Sequence, residues 1–257
     1  MVSLYKRLLA TYLFVGVLCI IGGTAFLRRH SDRLVVYYLM LIVILCITIG
    51  ILTTIAKKKF KSEILSHLDN CRVGIFLEEL TKLMGKRRDK RMRSFYSSLC
   101  AVGYEALGDY DSLFASCQNI KLKAHMPVYH RRMCSYYIEH NEIDYAKDAI
   151  TALSALAAAE KNQAEKKLIL QMEEECRRAL QVHMGEYGEP LKYYKEMLKS
   201  TEGKPLISRV SYAYSYGSIL FMTGDKKAAE EPLLFASSRG GDTKYKKRAD
   251  KLLAEIL

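Results

Sequence analysis

Residues 8–27 run LLATYLFVGVLCIIGGTAFL and residues 34–56 run LVVYYLMLIVILCITIGILTTIA, twenty and twenty-three residues without a charged side chain. At 1.5 Å rise per residue each makes about 30 Å or more of helix, the thickness of a bilayer's hydrocarbon core. Only RRHSDR separates them, so the pattern predicts a two-span transmembrane hairpin over residues 1–56. Small residues recur along one side of each run, Gly16, Cys19 and Gly23 in the first and Cys46, Gly50 and Thr54 in the second, and let two backbones approach in lipid. The outer flanks carry Lys6, Arg7, Lys57, Lys58, Lys59 and Lys61 against three arginines in the connecting loop. That bias predicts a multi-pass cell-membrane protein with both termini, and everything after residue 56, on the cytoplasmic side. A cleaved signal peptide is the competing reading of Lys6-Arg7, the apolar stretch 8–21 and Gly23-Thr24-Ala25, and it leaves the C-terminal region on the same side.

Half of the 257 residues are hydrophobic, which excludes a disordered chain. The net charge of +12 is unevenly spread, with +11 over residues 1–93 and +1 over residues 94–257. A nucleic-acid partner is therefore not expected, because the C-terminal two thirds lack the basic surface that tracks a phosphate backbone. Residues 57–93 read as a basic helical juxtamembrane connector, with helices over 60–68 and 73–84 and a turn at Asp69-Asn70 that sends the second helix back toward the bilayer. Lys57, Lys58, Lys59, Lys61, Lys86, Arg87, Arg88, Lys90, Arg91 and Arg93 are then the candidates for contact with anionic lipid, each contributing about 1 kcal/mol near such a leaflet. Seven cysteines, an odd number without CxxC spacing, read as reduced packing residues.

From residue 94 onward apolar residues recur at helical spacing, punctuated by Gly108-Asp109, Asn141-Glu142, Gly185-Glu186, Gly224-Asp225 and Gly240-Gly241. The first four lie 33, 44 and 39 residues apart, periods that fit a solenoid of helix pairs. In residues 211–240, SYAYSYGSILFMTGDKKAAEEPLLFASSRG, Gly217 and Ala229 are too small to hold two helices apart, while Leu220 and Leu233 fill the seam. This segment resembles a tetratricopeptide repeat, with Gly217 seven residues before the turn and Ala229, Leu233 and Ala236 at the small, bulky and small positions of the second helix. Ala101, Tyr104 and Leu113 mark a second unit, and Cys134, Tyr137, Ala146, Ile150 and Leu153 a third. The unit at Gly185 departs from the pattern, with Arg178 and Pro190 at the small-residue places, and the family's tryptophan and terminal proline are absent throughout. Residues 242–257 read as a polar-faced capping helix.

The resemblance implies a concave peptide groove. Alignment on the clear repeat places Ser98, Arg131, Glu175 and Tyr214 in it, followed one turn later by Val102, Ser135, Ala179 and Ser218. This lining lacks the Lys/Asn arrangement with which some family members clamp a terminal carboxylate.

Two His-xxx-Cys pairs, His67/Cys71 and His130/Cys134, could each offer two ligands from one helical face to a tetrahedral metal. Cys134 already has a place in the helix–helix seam and nothing brings the pairs together, so neither metal nor cofactor is expected. Glu173-Glu174-Glu175, with Arg177 and Arg178 four residues on from its first two members, reads as an ion-paired solvent face. GxGxxG, Walker, HExxH and GxSxG patterns are missing, so no enzyme is expected. The expected molecule is thus all-α, a two-span hairpin followed by a solenoid resembling tetratricopeptide repeats over 94–257. Its expected function is a membrane-anchored interaction scaffold, bound to the bilayer through the spans and to an unidentified protein or peptide through the groove. The rivals are a self-associating structural membrane protein, homo-oligomeric through the hairpin, and a regulatory subunit of a membrane enzyme or transporter. Against the last stands the lack of ionisable residues in either run.

Overall fold

A computed structural model of the chain describes Gly22 and residues 34–84, 90–201 and 203–256. Every element among them is helical, and the chain divides into two compact units, Met1–Leu65 and Ser66–Leu257.

In the first unit, helix α1 (Leu34–Phe60) carries the second apolar run and closes in a π-turn, Lys61–Leu65, where Lys59 pairs with Glu63 at 3.4 Å. Among the described residues no helix is long and apolar enough to cross a membrane. This corrects the two-span hairpin and the multi-pass membrane location expected from the sequence. The first run lies outside the described residues except for Gly22, as do Lys6, Arg7, Gly16, Cys19 and Gly23. Leu39, Ile42, Val43 and Ile44 on α1 are all more than half exposed.

The second unit is a solenoid-like array of helix pairs. A short turn of helix, α2 (Ser66–Asp69), leads to α3 (Val73–Met84), which buries Val73, Phe76, Leu77 and Leu80 on one face. The pairs follow as α4/α5 (Lys90–Leu107, Tyr110–Cys117), α6/α7 (Met126–Glu139, Ile143–Ala159), α8/α9 (Gln163–His183, Gly188–Lys199) and α10/α11 (Leu206–Met222, Lys226–Arg239), with α12 (Lys244–Ala254) last.

Local turn chemistry accounts for these boundaries. All five turn signals fall between consecutive helices, and Gly108, Asn141, Gly185, Gly224 and Gly241 all have positive φ. At the first four turns the next amide bonds back five residues, as in Asp109 N to Tyr104 O at 3.0 Å and Asp225 N to Leu220 O at 2.9 Å, which satisfies carbonyls the ending helix leaves open. The same aspartates start the next helix: Asp109 accepts from Ser112 N and Asp225 from Ala228 N, both at 3.1 Å.

Packing follows the small residues. A Cβ on Gly217 would come within 2.8 Å of Leu233 Cγ and 3.3 Å of Ala229 O, so the α10/α11 crossing depends on its absence. Gly103 plays the same part between α4 and α3, where a Cβ would meet Leu77 at 2.7 Å. The α8/α9 pair meets less closely, because Arg178 stands at the crossing and reaches across to Glu189 at 3.5 Å.

The array closes on itself. Asp242, just before α12, accepts hydrogen bonds from Val73 N at 2.8 Å and Gly74 N at 2.7 Å, capping α3 from the other end of the unit. Its own amide donates to Cys71 O at 3.3 Å. Cys71, with φ of 59°, is 1% exposed in an apolar cluster with Val210, Ala213 and Leu253. α12 also packs on α4, and α10 on α2.

Candidate functional site

Closure leaves a cavity of about 270 Å³ on the inner side, bounded by α4, α6, α8, α10 and α12. Six of the eight groove candidates, Arg131, Ser135, Glu175, Ala179, Tyr214 and Ser218, line it. Ser98 and Val102 are not among its lining residues: the Ser98 hydroxyl donates to Phe95 O at 2.7 Å within its own helix.

The centre of the wall is a buried ionic network. Glu105 on α4, 4% exposed, accepts from Arg131 Nη1 at 3.1 Å and from the Ser135 hydroxyl at 2.6 Å, and it pairs with Arg132. Arg131 also donates to Ser135 Oγ at 2.8 Å and reaches Glu175 Oε2 at 3.4 Å. Glu175 accepts in turn from the Tyr212 hydroxyl at 3.0 Å, joining α4, α6, α8 and α10 through one chain of contacts. Burial pushes the Tyr212 phenol far above its ordinary range, and the neighbouring Glu175 carboxylate adds to the shift. Of the three consecutive glutamates, Glu173 and Glu174 pair along their own helix with Arg177 at 2.5 Å and Arg178 at 2.6 Å, while Glu175 faces the cavity.

A second cluster closes the wall at α12. Arg248 pairs with Glu139 at 2.6 Å. Lys244 Nζ donates to the Tyr110 hydroxyl at 2.9 Å and lies 5.1 and 5.5 Å from the ring centroids of Tyr110 and Tyr245. Burial, reinforced by Arg248 and Arg131 and opposed by Glu139, lowers Lys244 from the usual lysine range to about 7. Glu105, Tyr110, Glu139, Lys244 and Arg248 were not among the groove candidates. A lone acid inside the small and apolar stretch CAVGYEAL was a visible signal for Glu105. Lys244 and Arg248 enter the cavity only because the array closes.

The other candidates lie elsewhere. Lys58 and Lys61 are exposed near the end of α1, and Lys90, Arg91 and Arg93 are exposed on the first turn of α4. Lys86, Arg87, Arg88 and the side chain of Lys57 lie outside what is described. His67 and Cys71 do not share a helical face, since Cys71 sits in the left-handed turn after α2. Cys134 and Cys176 lie together in the α6/α8 seam, both buried free thiols, and burial lowers the His130 pKa. Among the described residues no three His, Cys, Asp or Glu side chains are grouped as a metal ion would require.

Comparison with protein-family models, with curated proteins and with solved structures found no match.

Proposed function

We propose that residues 66–257 form a tetratricopeptide-type interaction module that receives a short segment of a partner protein in its closed concave face. The observation that carries this reading is the convergence of α4, α6, α8 and α10 on one cavity, with Glu105, Arg131, Glu175 and Tyr212 already fixed in mutual contacts. Side chains held in this way lose little freedom when a segment docks. The module acts as a scaffold that holds its partner.

The test is selection of short peptides from a displayed random library by the full chain, followed by titration of the selected peptides. Ala179, on the cavity wall and not engaged in the ionic network, is replaced by tryptophan to fill the space. Selected peptides should lose at least tenfold in affinity for Ala179→Trp while the variant keeps its melting midpoint. Undiminished binding to that variant overturns the assignment of the cavity as the binding site.

A further inference from the structure

Among the described residues the cavity wall carries three carboxylates, Glu105, Glu139 and Glu175, and three cations, Arg131, Lys244 and Arg248, but their pairing is uneven. Glu105 is taken up by Arg131 and Arg132, Glu175 by Arg131, and Glu139 by Arg248. Lys244 is left over. Among the described residues its Nζ has no carboxylate within ion-pair distance, and its partners are the Tyr110 hydroxyl and the faces of Tyr110 and Tyr245. Such an amine is half of an ion pair: much of its water has been removed, and the nearby Glu139 acts on it without an ion-pair contact. It opens onto a space that Ile138, Val182, Tyr214 and Tyr245 line with apolar and aromatic surface.

We propose that this space is a binding site for an organic carboxylate on an aromatic or apolar body, with the carboxylate against Lys244 and Tyr110 and the body along Tyr214, Ile138 and Val182. The inference deepens the interaction-module reading and rests on it, since it names the chemistry the cavity accepts. A carboxylate on the occupant supplies the ion-pair partner that Lys244 lacks among the described residues. The volume, about 270 Å³, lies just below the ~300–1,000 Å³ usual for drug-sized ligands, so the occupant is fragment-sized. The last residue of a polypeptide and a free aromatic acid both present this chemistry.

The full chain is titrated by calorimetry with N-acetyl-phenylalanine, its neutral amide and phenylacetate at pH 6 and pH 9. Both acids should bind, and the amide should bind at least tenfold more weakly than its acid. Between pH 6 and pH 9 the acids should lose up to about a hundredfold in affinity, because Lys244 loses its proton and the binding-competent fraction falls with it. Around Lys244, burial pushes the Tyr110 and Tyr214 phenols up, and they stay neutral over this range. Burial raises Glu139, but its bond to Arg248 outweighs that and keeps it ionised. Arg131, Arg132 and Arg248 stay charged. Tyr245 and His183 also face the space, and the Lys244→Arg variant controls for both.

Lys244→Arg should keep acid binding and lose most of the pH dependence, whereas Lys244→Met should bind acid and amide alike. Tighter binding of N-acetyl-phenylalanine assigns a chain terminus, and equal binding of phenylacetate a free acid; both support the site. Equal binding of acid and amide to the unmodified protein overturns it, and so does an unaltered pH profile in Lys244→Arg. If neither acid binds while library peptides are still captured, the carboxylate site fails and the interaction module stands.

Discussion

Glu105→Gln is the most direct perturbation of the cavity wall. Glutamine keeps the shape of the side chain and an acceptor for the Ser135 hydroxyl, 2.6 Å away, but removes the charge that faces two guanidinium groups. Arg131 retains Glu175 at 3.4 Å and Ser135 at 2.8 Å. Among the described residues Arg132 retains no carboxylate at ion-pair distance, its side chain is only 17% exposed, and its Nε has no hydrogen-bond partner. Removing one partner of a buried pair in this way costs about 3–5 kcal/mol, because the surviving charge stays desolvated. For a unit the size of Ser66–Leu257 that corresponds to a drop in melting midpoint of about 6–20 °C. The assay is thermal unfolding of the full chain followed by circular dichroism, in mild detergent because α1 exposes apolar side chains. Glu78→Gln is the control: it breaks the pair with Lys82 at 2.7 Å, whose side chains are 57% and 64% exposed, and should leave the midpoint where it is. Adding Arg132→Met to Glu105→Gln removes the stranded charge and should recover part of the loss. A Glu105→Gln midpoint indistinguishable from that of Glu78→Gln refutes the reasoning.

Gly217→Leu should cost at least about 1–3 kcal/mol by urea titration through overpacking against Leu233, whereas Gly188→Ala, with nothing within 4 Å of the added carbon, should be neutral or mildly stabilising. Equal effects at the two glycines would contradict the account of the α10/α11 seam. Asp242→Ala removes the acceptor for Val73 N and Gly74 N and should cost about 1 kcal/mol, seen as faster hydrogen exchange at those two amides; unchanged exchange would rule out the latch. A thiol-reactive maleimide should modify exposed Cys46 in the folded protein and spare Cys71, Cys100 and Cys117 until denaturant is added. Burial pushes these three thiols up to about 11, 11 and 12, with Asp242 adding to the shift at Cys71, so the reactive thiolate is scarce as well as shielded.

The parts legible in the sequence are those that one or two residues decide locally. A helix that ends in a left-handed residue needs glycine or asparagine there, and Gly108, Asn141, Gly185 and Gly224 announce their turns whatever packs around them. Arg131, Glu175 and Tyr214 could be placed on one face because the first helix of each pair presents the same side inward. Ser98, aligned to the same face, is not among the lining residues. Closure was not legible: Asp242 meets Val73 across 169 residues of chain, and no local pattern records that distance. Hydropathy is a property of each apolar run alone and carries no record of what packs beside it; among the described residues no helix is long and apolar enough to cross a membrane.

The polar groups inside the closed array are better suited to fixing register than to holding it shut. Arg131, Arg132, Glu105 and Glu175 give up much of their hydration, and a buried ionic group of this kind adds little net stability over apolar side chains of the same shape. The Asp242 cap is exposed and small in energy. What holds the ends together is apolar. Cys71 is sealed among Val210, Ala213 and Leu253, and a Cβ on Gly241 would run into the Cys71 carbonyl. Closure therefore rests on the chain's own contacts. Among the described residues Lys244 has no carboxylate at ion-pair distance, and a carboxylate that enters meets side chains already held by their neighbours and spends little of its binding energy on ordering them.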